Sequence, residues 1–233
     1  ALVLTLDLQI LGQRHKDLKN GLSAPPKLTL KNMINIASKP RWALGMLGTK
    51  RRQFGNIVGH VSGVGDMGSL SEWTAKQFDP ALNWGDVEWI KQRWGGKLIL
   101  KGIQDVEDAR LAADSGADAL IVSNHGGRQL DGAQSSIEAL PGIVDAVGQR
   151  IEIHMDGGIR SGQDVLKARA LGARGVYIGR PMLYGLGAMG EAGVTKCLQI
   201  LHKELDITMA FCGHTNIETV DQSILLPATF PTA

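Results

Sequence analysis

From residue 97 onward the chain alternates short apolar runs with stretches of helical periodicity, and few architectures accommodate that rhythm. The runs at 97–101, 119–123, 151–155 and 175–178 are continuous rather than alternating in polarity, as strands buried on both faces require. Helical patterns at 105–115, 135–147, 161–171 and 190–204 follow them in turn. Strand, crossover helix, strand at this spacing predicts a parallel sheet. Ser115-Gly116 and Leu171-Gly172 put glycine where a left-handed residue closes a helix, and Thr215 with Glu218 has capping-box spacing for a last short helix. The segment 1–7, ALVLTLD, reads as one more fully buried parallel strand, making five. A chain that opens on a core strand is expected to lack something upstream.

Between the first strand and residue 97 runs a connection, roughly 21–95, too long for a plain loop. It holds Pro25-Pro26, all five tryptophans and a basic stretch from 39 to 52. Such a segment suits a lid, an interaction surface or a membrane-facing element within one domain spanning 1–233. Trp84, Val87, Trp89 and Ile90 have the spacing of an amphipathic helix packed on the core. With 25 basic against 23 acidic residues the net charge is +2, which argues against a nucleic-acid partner. Cys197 and Cys212 lack CxxC spacing, so neither a metal framework nor a disulfide scaffold is expected, and two reduced thiols suit a cytosolic compartment. No apolar run reaches the roughly 18 residues needed to span a bilayer, and the first residues do not read as a signal peptide.

The chemistry-bearing residues follow the strands. Thr5, Asp7 and Arg14 come after the first, Lys101 ends the second, and Ser123, His125 and Arg128 follow the third. Asp156, Gly157, Gly158, Ile159 and Arg160 follow the fourth, and Gly179 and Arg180 the fifth. In a parallel sheet these positions share one mouth, where α/β folds keep their active sites. Read singly, each has a plainer alternative: Lys101 as a solvated strand end, Asp7 as a helix cap, Arg14 and Arg128 as surface charges, the glycines as turn closers. Read together, His125 is a titratable base with Asp7 to orient it, and two guanidinium groups suit a carboxylate. The DGGIR and IGR strings, backed by helix amino ends, suit a phosphate. His154 lies within a strand and reads as a packed side chain; no metal site is supported.

These strings resemble one family. Ser-Asn-His-Gly-Gly-Arg-Gln-Leu-Asp at 123–131, Lys-Gly at 101–102, Asp-Gly-Gly-Ile-Arg at 156–160 and Gly-Arg at 179–180 are similar to the FMN-dependent α-hydroxy acid dehydrogenases and oxidases. The likeness runs from the first strand to about residue 220, and within the family the stretch 160–194 is most similar to bacterial L-lactate dehydrogenases, while PPKLTLKN at 25–32 is similar to mandelate dehydrogenase.

The resemblance implies a (β/α)8 TIM barrel of which this chain supplies about strands four to eight. The first three strands are then expected from a missing amino-terminal segment or a companion polypeptide, without which FMN would be held weakly. It implies FMN as cofactor and a small 2-hydroxy acid, L-lactate first, with mandelate or glycolate as alternatives, oxidised to the 2-keto acid. Electrons would pass to a quinone, cytochrome or oxygen. His125 would be the base, Asp7 its partner, and Arg14 and Arg128 the carboxylate ligands. Thr5, Lys101 and Ser123 would contact the isoalloxazine; Asp156, Gly157, Gly158, Ile159, Arg160, Gly179 and Arg180 would line the phosphate and ribityl end. A homotetramer is implied, cytoplasmic or peripheral on the cytoplasmic face of the inner membrane. Residues 33–58 mix Met, Ile, Trp, Leu and Phe with Lys39, Arg41, Lys50, Arg51 and Arg52, as a segment on an anionic membrane surface would. It could equally be an ordered lid. A competing class is a non-redox half-barrel that holds a phosphorylated metabolite.

Overall fold

Five strands, β1 (Leu2–Thr5), β2 (Leu98–Ile103), β3 (Ala119–Val122), β4 (Glu152–Asp156) and β5 (Gly175–Tyr177), form one sheet whose neighbours run β1-β2-β3-β4-β5, every pair parallel. Unreversed order is the arrangement of a (β/α) barrel wall; a doubly wound sheet reverses direction at a switch point. The computed structural model describes residues 1–10, 12, 14–21, 29–49, 54–64 and 67–232. Pro25-Pro26 and Lys50, Arg51 and Arg52 of the basic stretch lie outside the described residues.

The chain divides into two compact units, one of residues 1–8 and 81–233, the other of residues 9–80. The smaller carries α1 (His15–Lys19), α2 (Leu30–Ala37), α3 (Pro40–Gly48) and α4 (Met67–Gln77). Thr29 caps α2, its hydroxyl accepting from Asn32 N at 3.2 Å. The larger unit begins its helices with α5 (Trp84–Trp94), followed by α6 (Val106–Asp114), α7 (Ser136–Val147) and α8 (Gly162–Ala170). The expected 21–95 connection therefore spans the boundary: α5 belongs with the sheet. Val87 of α5 is buried and Trp84 and Ile90 pack on the core, whereas Trp89 is 64% exposed.

Strand alternation explains the core. Leu98, Leu100, Leu120, Val122, Ile153 and Met155 are buried together with Ala109, Ile143 and Ala168 of the covering helices. Each fully buried leucine contributes roughly 1.5–3 kcal/mol. The intervening residues, Thr5, Lys101, His154 and Asp156 among them, face the other side. Helix starts are set locally: Asp105 accepts from Glu107 N and Asp108 N at 2.8 and 3.4 Å, and Ser161 with Asp164 forms a reciprocal box on α8.

Two expectations at the carboxyl end need correction. The helix expected over 190–204 is α10 (Glu191–Phe211), which runs on to residue 211, and an unexpected helix, α9 (Arg180–Met189), precedes it across a break at Gly190 with φ 64°. Glycine-rich sequence reads as loop, yet a β-carbon on Gly193 would fall 1.9 Å from Gly185 O, so the glycines let the two helices cross closely. The short turn at 217–219 is capped by Asn216, whose side chain accepts from Glu218 N at 3.0 Å, and not by Thr215.

Candidate functional site

Parallel strands bring every carboxyl end to one rim, and there the polar residues of the larger unit converge. Lys101, paired in register with Thr5, reaches upward from β2: its Nζ donates to Ser123 Oγ at 2.9 Å and forms an ion pair with Asp156 at 3.0 Å. Ser123 has no exposed surface, and its hydroxyl also accepts from His125 N at 3.1 Å. One buried oxygen thus ties the cation to the loop that carries the imidazole.

That loop is strained and braced. His125 has φ 55°, followed by Gly126 at φ 66° and Gly127 at φ 70°, a left-handed run that a side chain adopts at a cost of about 1–3 kcal/mol. Besides the Ser123 contact, Gly127 N donates to Asn124 Oδ1 at 3.2 Å and Arg180 Nη2 donates to Gly126 O at 2.7 Å. The result points His125 Nδ1 at Asp7 Oδ1, 3.1 Å away, with side chains 25% and 17% exposed. A carboxylate only accepts, so the neutral ring carries its proton on Nδ1 and leaves the Nε2 lone pair free.

Beside this pair lies a cleft of about 490 Å3 lined by Gly126, Gly127, Gly157, Gly158, Arg160, Lys167 and Arg180, with Asp164 as a carboxylate in the wall. The expectation that helix amino ends meet the anion divides here. The α8 end is already taken, since Asp164 accepts from Arg160 N at 2.9 Å and Ser161 N at 2.8 Å. The α9 end, which begins at Gly179-Arg180, has no side-chain cap. Ile159 also lines the cleft, its side chain otherwise buried in the apolar core. Arg128 is exposed at the end of the His125 loop, and Arg14 belongs to the smaller unit. Sequence reasoning missed Lys167, three positions beyond Asp164 on α8, and the bridging function of Ser123; Gly102 stood only as a letter in a string. Among the described residues no three His, Cys, Asp or Glu side chains cluster as metal ligands.

The arrangement fits a phosphate-bearing flavin. Three cationic side chains and closely approachable glycine backbone line the cleft, whose volume suits a small-molecule site. Two buried carboxylate oxygens at the rim, Asp7 Oδ2 and Asp156 Oδ1, have no protein partner, as expected where a ligand or solvent completes the bonding.

Comparisons with known proteins agree. A family model described as FMN-dependent dehydrogenase matches residues 1–227. The chain is 46% identical over 229 residues to an L-lactate dehydrogenase of Caulobacter vibrioides, covering 96% of this chain and 58% of the relative. An L-lactate dehydrogenase of Pseudomonas syringae pv. syringae is 45% identical over 229 residues, with 97% and 60% covered. Among solved structures, the monotopic membrane protein (S)-mandelate dehydrogenase superposes with a TM-score of 0.90 at 37% identity, over 96% of this chain and 59% of that one. The chain thus spans 58% to 60% of the length of these relatives.

Proposed function

The chain belongs to the FMN-dependent dehydrogenase family, and from that premise we propose that it serves the oxidation of a 2-hydroxy acid, L-lactate first, to the 2-keto acid with His125 as base. The observation that carries this reading is the contact of His125 Nδ1 with Asp7 Oδ1 at 3.1 Å, next to the Lys101 cation. Arg160, Arg180, Lys167 and the backbone of Gly157 and Gly158 would hold the FMN phosphate, with Thr5 and Lys101 toward the ring. When bound, FMN supplies the two-electron acceptor, reoxidised by a quinone, cytochrome or oxygen.

The remaining chemistry belongs to side chains of the chain. His125 Nε2 takes one of the two protons the substrate loses, and Asp7 stabilises the imidazolium that results. Lys101 holds positive charge where negative charge develops. Arg128 holds the substrate carboxylate; the same role for Arg14 stands on the sequence resemblance. L-lactate as substrate is supported by the names of the curated relatives.

His125→Gln tests this. With FMN present, turnover of L-lactate, mandelate or glycolate should fall by about 10²- to 10⁴-fold, while the visible flavin spectrum of the bound protein persists. Near-normal turnover would remove His125 as the base.

A second reading, peripheral contact with an anionic membrane, is supported by the smaller unit. Leu30, Met33, Ile34, Trp42, Leu44 and Leu47 of α2 and α3 are exposed, together with Lys31, Lys39 and Arg41.

A further inference from the structure

The second strand is irregular where it passes the catalytic pair. Its register against β3 runs Ile99 to Ala119, Leu100 to Leu120 and Lys101 to Ile121, then skips to Ile103 against Val122. Gly102 is the extra residue, a bulge in a parallel ladder, with φ 103°. The bulge lets Lys101 face the rim while Ile103, one position out of step with Leu98 and Leu100, still enters the core. It also makes room: a β-carbon at residue 102 would lie 2.7 Å from Asp7 Cγ, 2.8 Å from Asp7 Cβ and 3.0 Å from Asp7 N. Those contacts include backbone and the root of the side chain, so rotating the carboxylate alone would not relieve them. The chain at Asp7 is itself pinned, Leu6 N donating to Lys101 O at 2.8 Å.

We propose that Gly102 is a positioning residue for the proposed reaction: its missing side chain is the space into which Asp7 packs to reach His125 Nδ1. Any side chain at 102 drives Asp7 away from the imidazole, and the ring then loses the partner that keeps its proton on Nδ1. The catalytic consequence rests on His125 being the base; the positioning itself does not.

The test compares Gly102→Ala, Asp7→Asn and the double variant. Imidazole nitrogen-15 shifts, with His125 assigned by its loss in His125→Gln, should show the neutral ring as the Nδ1–H form in the native protein. Both single variants should move it toward the Nε2–H form. Turnover should fall on the order of 10²-fold in each, with the double variant no worse than Asp7→Asn alone, as coupled residues behave. A Gly102→Ala protein that keeps the native tautomer while Asp7→Asn loses it overturns the proposal, as does a native ring that is not the Nδ1–H form.

Thermal unfolding guards against a folding defect. Gly102→Ala should lower Tm by roughly 5 °C, and Asp7→Gly should restore part of that loss. Equal losses in both backgrounds, or failure to fold in both, count against the proposal. If the tautomers shift as expected but no hydroxy acid is oxidised by the native protein with FMN, the positioning stands and the functional reading fails.

Discussion

Ser123 shows how much a single hydroxyl holds at this rim. It is buried, it sits between the Lys101 ammonium and the His125 amide, and it stands two residues before the backbone turns left-handed at His125. Replacing it with alanine leaves two donors without that acceptor, a cost of about 1–3 kcal/mol. Ser123→Ala is therefore expected to lower the unfolding free energy by that amount, read in equilibrium unfolding as a lower denaturant midpoint at an unchanged m value. An unaltered midpoint would mean that solvent replaces the hydroxyl. Asn124 and Arg180 brace the same loop from other directions, so the imidazole is held by four residues.

The elements are tied at the opposite end of the strands by Asp118, just before β3. Its carboxylate accepts from Lys91 of α5 at 2.5 Å, from Lys97 at 2.6 Å and from Leu98 N at 3.0 Å. These donors hold the carboxyl well below the usual carboxylate range, the Lys91 hydrogen bond foremost. A depressed folded-state pKa contributes stability that is full above the unfolded value, near 3.9, and is lost as pH falls through the folded value. Lys97 is largely exposed, so solvent screening discounts the ion pairs. Asp118→Asn is expected to cost about 1 kcal/mol, or roughly 2–4 °C in Tm, at neutral pH. The difference from the native protein should shrink in scans run progressively below pH 4.

At the scale of the molecule, the sheet has two different faces. One is sealed by helices; the other carries Thr5, Lys101, His154 and Asp156, and His154 bridges Glu152 at 2.8 Å and Tyr177 at 3.1 Å. Five parallel strands of unreversed order, with Thr5, Lys101 and Asp156 at their carboxyl ends, are what a barrel with its site at one mouth requires. Among the described residues no helix is long and apolar enough to cross a membrane. The exposed residues of α2 and α3 lead to a different expectation: the protein should sediment with vesicles containing anionic lipid at low salt and be released at high salt. Leu44→Glu with Leu47→Glu should weaken that binding. No sedimentation of the native protein at low salt would sink the membrane reading.

Strand and helix order, the family, and the strand-end positions of His125, Asp7, Lys101, Arg160 and Arg180 were legible in the letters, because strands sealed by helices carry apolar runs and the polar residues follow the strand ends. The α9–α10 break, the Asn216 cap and the exposure of Trp89 were not, since each depends on what a neighbouring element leaves open. Bulges and close approaches are likewise properties of paired chains. Only the packed sheet decided that a residue without a side chain at 102 makes room for Asp7, because the space it provides exists between two strands about ninety-five positions apart.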